Sequence, residues 1–198
     1  MSEDSKDKIR KEMGAEVVYR KFVGLYNNEL KALKTTNPNR YLSTVAEWTP
    51  VLLEYFDESF NASLSIHILE VALSDAQGNI EKSRAFLEGL YNSSLRIDKK
   101  QPSKKTSEYF EFFFESRNQI IVEDEGGEMF YMGNQAPSVI SNYDGSWQSE
   151  SAMGIVRKEL KKADDRMLEP LMNGLLIRVL VTEDYPEFKR WLEGEDQK

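Results

Sequence analysis

His67 is the only histidine in the chain. Any acid–base, nucleophilic or metal chemistry that needs an imidazole must therefore pass through it. It stands in His67-Ile-Leu-Glu70, and a spacing of three on a helix brings both side chains to one face, as in carboxylate-bridged metal centres. Such centres repeat the Glu-x-x-His pair on a second helix, and the chain has no second copy. Glu54, Asp57 and Glu58 on the preceding segment are further carboxylates for the same centre. His67 and Glu70 are the metal-ligand candidates, set against the plainer reading of a solvated or hydrogen-bonded histidine.

There are no cysteines, so disulfides, thiolate nucleophiles and Cys-ligated zinc drop out. A Ser-His-Asp triad is restricted to the same single imidazole. Neither G-x-G-x-x-G nor G-x-x-x-x-G-K-[ST] occurs, and Gly126-Gly127 lies between acids that repel phosphate. Acids are abundant, but nothing in their spacing selects two of them for glycoside chemistry. No catalytic residue is assigned and no cofactor is expected.

The aromatic residues offer contact chemistry instead. Residues 108–133 read EYFEFFFESRNQIIVEDEGGEMFYMG, at once the densest aromatic stretch and the most acidic. As a strand it would put Phe110, Phe112 and Phe114 on one side; as a helix it would cluster Tyr109, Phe112 and Phe113. Either way the aromatic surface is too large to be left exposed. Core packing is the plainer explanation, and an interface for a partner or a second copy is the sharper one; a small-molecule sensor would instead use a pocket lined by Phe112, Phe114, Phe130 and Tyr131. Tyr143 and Trp147 are the other contact candidates, because they fall in GNQAPSVISNYDGSWQS (133–149), a run with no sustained period that reads as a long loop.

The elements that must position these residues are mostly helical. Glu3 to Lys34 carries Ile9, Met13, Val17, Val18, Phe22, Tyr26, Leu30 and Leu33 at intervals of three and four, one face of a long helix that either splits near Gly14 or runs on and packs against a second copy. Asn37-Pro38 is a helix start, and Thr49-Pro50 repeats the signal, predicting a kink or break before a helix from Pro50 to Phe60 with Leu52, Leu53, Phe56 and Phe60 buried. Ser63 or Ser65 opens a further helix, Gly78-Asn79 ends it, and Ile80 to Leu95 forms an amphipathic one. KKQPSKKTS (99–107) has the composition of an exposed basic connector. Beyond it, two apolar runs flank Asp124-Glu-Gly-Gly127 and predict a β-hairpin over 119–132. A charged helix from Ser149 or Ser151 towards Met172 follows, stopped by Asn173-Gly174. Residues 175–181, LLIRVLV, then read as a strand joining the hairpin, although a short apolar run fits buried helix as well, and Asp184-Tyr-Pro186-Glu187 starts a last helix ended by Gly194. No repeat appears at the periods of about 20–50 residues that mark solenoids.

The predicted fold is therefore α+β and predominantly helical: an N-terminal helical bundle (1–98), the connector, and a part (108–198) in which a hairpin or small antiparallel sheet packs with helices. The two parts are either separate or one compact domain.

Apolar residues make up 40% and charged residues 30% of the chain, which is the composition of a folded protein rather than a disordered one. A net charge of −8 opposes general nucleic-acid binding. A winged helix with the acidic hairpin as its wing is opposed for the same reason. Five basic residues in 96–105 precede seven acids in 108–128, a pattern that suggests compensation within the fold. No apolar segment reaches the length of about 18 residues that a membrane span needs, and the charged start lacks signal-peptide character, so a cytoplasmic location is expected. These features lead to a non-enzymatic interaction or regulatory protein that self-associates through its first helix. The alternatives are a small-molecule sensor with an aromatic-lined pocket and a carboxylate-metal enzyme.

Overall fold

Asn37 ends one helix and starts the next. Its side chain accepts a hydrogen bond from the backbone N–H of Arg40 (3.2 Å), while Pro38 occupies the first turn, where no N–H is needed. The computed structural model describes the backbone of residues 3–57, 59–121 and 125–192, and the side chains of 14–57, 59–120 and 126–182.

Before Asn37, α1 (Glu3–Leu25) passes through a π-helical turn (Tyr26–Leu30) into α2 (Lys31–Thr36) without a break at Gly14. Tyr19, Phe22 and Leu30 are buried on its inner face, whereas Val17 of the predicted stripe is half exposed. The widened turn takes up an extra residue and re-aims the face that follows it. α3 (Pro38–Glu54) continues through Pro50, so the predicted break there does not occur. A turn then leads into α4 (Phe60–Ala76), in which Ser59 accepts from the N–H of Ala62 (3.3 Å) and Asp57 from that of Ser59 (2.9 Å). Phe60, predicted to be buried at a helix end, instead opens α4 and is 80% exposed. Gly78, at φ 71°, supplies the left-handed residue after α4, and Asn79 caps α5 (Ile80–Leu95).

Across the connector, Ser103 and Thr106 exchange backbone and side-chain hydrogen bonds at the head of α6 (Lys104–Ile121). α7 (Glu125–Ser141), α8 (Trp147–Lys162) and α9 (Leu168–Leu192) complete the chain.

No strand occurs among the described residues, so the fold is all-α and the α+β expectation is corrected. The predicted hairpin over 119–132 is the end of α6 and the beginning of α7, with 122–124 outside the described residues. Gly126 and Gly127 lie in the first turn of α7. The loop predicted over 133–149 is mostly helix: α7 runs through Pro137 to Ser141, and Ser146 rather than Ser149 or Ser151 caps α8. α8 itself stops at Lys162, short of Met172. The strand predicted over 175–181 lies within α9, where Leu171, Met172, Leu175 and Val179 are buried and Ile177 and Val181 exposed, a helical period. Asn173-Gly174 does not stop that helix, and residues 184–187 continue it; Gly194 lies outside the described residues. Without a hairpin there is no wing, which removes the winged-helix arrangement.

The helices α3–α5 and α7–α9 follow one three-helix pattern, used twice. Pro38 and Glu125, Pro50 and Pro137, Glu54 and Ser141, and Phe60 and Trp147 all stand 87 positions apart, and they mark the start of α3 and α7, the proline inside each, the end of each, and the start of α4 and α8. The connecting turn repeats as Tyr55-Phe-Asp-Glu-Ser-Phe60 and Asn142-Tyr-Asp-Gly-Ser-Trp147. Asp144 accepts from the N–H of Ser146 at 2.9 Å and Ser146 from that of Ser149 at 3.3 Å, the same bonds at the same lengths as at Asp57 and Ser59. The third helices match as Leu87-Glu-Gly-Leu90 and Met172-Asn-Gly-Leu175. A Cβ on Gly89 would overlap the carbonyl of Ser43, and one on Gly174, 85 positions on, the carbonyl of Phe130, which is 87 positions beyond Ser43. Glycine is required at both crossings because the backbones touch.

The packing between the two units is reciprocal. α3 lies on α5 and α7 on α9 within the units, while α4 packs on α9, α5 on α8, and α3 on α7 between them. Both α3 and α7 end at the same end of the molecule, where α4 and α8 begin and the connector crosses.

Candidate functional site

At this end, the last turns of α3 and α7 border two grooves. The first has a volume of about 490 Å³, in the range of small-molecule sites, and is walled by Leu53, Tyr55 and Phe56 on one side and by Pro137, Ser138 and Asn142 on the other. Arg178, on α9, forms its cationic wall. A further cleft of about 270 Å³ lies beyond Arg178 towards Val181 and Thr182. The second groove, about 410 Å³, is walled by the matching residues Pro50, Val51 and Tyr55, together with Ile140 from the opposite unit.

The two grooves differ in their charges. In the second, Arg96 pairs with Glu47 (2.7 Å), and Lys100 bridges the carboxylate of Glu54 and the carbonyl of Ser141. That ammonium also sits at the C-terminus of α7, where the helix dipole favours a cation. In the first groove, Arg178 has no ion-pair partner among the described residues, and its buried Nε makes no hydrogen bond. Burial pulls the guanidinium below its ordinary pKa while the nearby Tyr109 hydroxyl acts the other way; an arginine stays protonated throughout. A cation in this position lacks the compensation that a buried charge requires.

The aromatic candidates are dispersed and line none of this groove. Phe113, with Phe110, is the buried member of its run; Phe112 is 56% exposed on the opposite face, and Phe114 is partly buried against Phe113 (ring centroids 5.4 Å apart). Tyr131 stacks on Phe113 and donates its hydroxyl proton to the Phe113 carbonyl (3.0 Å), whereas Phe130 faces outwards. A pocket between sheet and helices built from Phe112, Phe114, Phe130 and Tyr131 therefore does not form. Tyr143 is buried and bonded to Glu150, while Trp147 is 78% exposed at the position matching Phe60.

His67 and Glu70 are neighbours on α4, with Nδ1 and Oε2 3.7 Å apart, and both reach solvent. No group of three or more potential metal ligands occurs among the described residues. The basic connector compensates acids on other helices, Glu47, Glu54 and Glu150, more than the neighbouring acidic segment, where Lys104 pairs with Glu108 and Arg117 with Glu128.

Sequence reasoning passed over Arg178 because LLIRVLV reads as a buried run with a stray charge. The usable signal was the charge itself: an arginine at a core-type spacing needs a partner, and no acid stands three or four positions from it. No helix of the described residues is long and apolar enough to cross a membrane. No protein-family model, curated protein or solved structure matches the chain.

Proposed function

We propose that the chain is a non-catalytic binding module, a sensor or regulatory protein whose ligand is a small anion with an apolar body, held in the Arg178 groove. The observation that carries this reading is the Arg178 guanidinium, with its unsatisfied Nε, on the wall of a cavity of about 490 Å³. Its fork of donors suits a carboxylate or phosphate, and Tyr55, Phe56 and Pro137 offer an apolar surface beside it. The second groove supports the contrast: the same architecture there is closed by ion pairs within the chain.

The test is isothermal titration of the native protein with a panel of small carboxylates and phosphates, among them 3-phenylpropionate and phenyl phosphate. Saturable binding that Arg178→Gln abolishes, with the helical signal and melting temperature retained, is the expected outcome. Panel members binding equally well to Arg178→Gln would refute the assignment.

A further inference from the structure

Resting on that reading, we infer that the ligand is a zwitterion with a large apolar side chain, such as a hydrophobic amino acid or short peptide: its carboxylate on Arg178, its ammonium on Asp57 and its side chain against Tyr55, Phe56 and Pro137. The argument follows the charges that line the groove. Among the described residues three charged ones do so: Glu54, Asp57 and Arg178. Glu54 is answered by Lys100 from the connector. Arg178 and Asp57 have no ion-pair partner among the described residues, and Asp57 spends only one oxygen, Oδ1, on the N–H of Ser59.

Among the described residues the cavity thus presents one uncompensated cation and one carboxylate with an oxygen to spare, beside apolar wall. A simple anion would satisfy Arg178 and leave Asp57 repelling it. A simple cation would do the reverse. Only a ligand carrying both charges meets both groups, and each charge-assisted bond is stronger than a neutral one. The second groove shows the same need met internally, since Arg96 and Lys100 meet Glu47 and Glu54 and leave only the exposed Asp98.

The experiment is calorimetric titration of the full chain with four probes: L-phenylalanine, the dipeptide Phe-Leu, 3-phenylpropionate and phenethylamine. At least one of the two zwitterions is expected to bind ten-fold or more tightly than either singly charged probe. Asp57→Asn keeps an acceptor for Ser59, so the turn is retained, and it is expected to remove that preference while leaving 3-phenylpropionate bound. Arg178→Gln is expected to weaken both zwitterion and carboxylate. If 3-phenylpropionate binds the native protein as tightly as the zwitterions, or if Asp57→Asn leaves the preference unchanged, the zwitterion assignment fails and the anion groove stands. If no carboxylate or phosphate binds at all, the groove reading itself fails.

Discussion

Gly174 of α9 rests directly on the carbonyl oxygen of Phe130 in α7, with no space for a side chain between the two backbones. Gly133 meets the Leu171 carbonyl at the same crossing, and Gly89 repeats the contact on Ser43 in the other unit. Replacing Gly174 or Gly89 by alanine must push the paired helices apart, and overpacking of this kind costs about 3 kcal/mol or more where backbone is the obstacle. Gly24 and Gly154 are also helical, but a Cβ at either position would meet nothing within 4 Å. Alanine there is expected to stabilise by about 0.4–1 kcal/mol. Urea unfolding of the four variants measures both effects, and equal stabilities would contradict the two crossings.

Phe112 and Phe113 are neighbours with opposite fates, one 56% exposed and the other fully buried against Tyr131. Truncating Phe113 to alanine is expected to cost about 3–5 kcal/mol, and truncating Phe112 less than about 0.5. A large loss at Phe112 in chemical denaturation would mean that this face is covered, as an interface on the aromatic run requires.

Local signals were legible where they act locally. Asn37-Pro38 and Gly78-Asn79 set helix boundaries from their own side chains and φ preferences, and the bounds of α5 were readable for that reason. Residues 125–141 were misread because Gly126, Gly127, Gly133 and Pro137 suggest turns to any local reading. Only contacts distant in sequence explain them: Gly133 is small because α9 crosses there. Pro137, like Pro50, follows by four positions a residue at such a crossing, Gly133 or Ala46. The ring of each proline faces the carbonyl of that small residue, and packing outweighs the lost hydrogen bond. The duplication was hidden for a related reason: its shared residues are few and scattered, the Asp-x-Ser turn, the proline inside the first helix and the glycine at the crossing. The groove depends on Arg178 meeting residues some 40 and 120 positions away, which no short motif records.

Alkaline unfolding should begin early. Burial raises the Tyr41 hydroxyl to about 12, and raises those of Tyr19 and Tyr109 as well. The unfolded chain ionises its tyrosines near pH 10, so it releases protons that the folded state retains. The stability these groups contribute is complete below about pH 10 and falls as the pH rises towards the folded values. Melting temperatures measured from pH 8 to 11 should decline above about pH 10, together with the rise in tyrosinate absorbance; tyrosinate appearing without loss of structure would argue against burial.

Asp144 governs the acid side. Burial alone would raise its carboxyl, but hydrogen bonds from Ser146, Ser149 and Thr106 outweigh it and hold the group below its ordinary value. A lowered folded pKa gives stability that is present above the unfolded value of about 3.9 and lost as the pH falls through the folded one. Asp144→Asn should therefore be less stable than the native chain at pH 7, with the difference steady down to about pH 4 and shrinking below. Thermal denaturation of both proteins from pH 2 to 7 decides it, and a difference that grows on acidification would reverse the sign.

Arg178 separates stability from binding. Its guanidinium is partly removed from water without an ion-pair partner among the described residues, so the groove holds a charge the fold does not compensate. Arg178→Met keeps the length and apolar stem of the side chain while deleting the charge, and packs beside Leu53 and Phe56 on the same wall. The unliganded variant is expected to melt at or above the native temperature, whereas stabilisation by any anionic ligand disappears. Residues retained for binding commonly show this opposition of stability and function. A variant that melts several degrees lower would instead make Arg178 part of the scaffold, held by contacts within the chain, and would remove the reason for expecting a ligand at that wall.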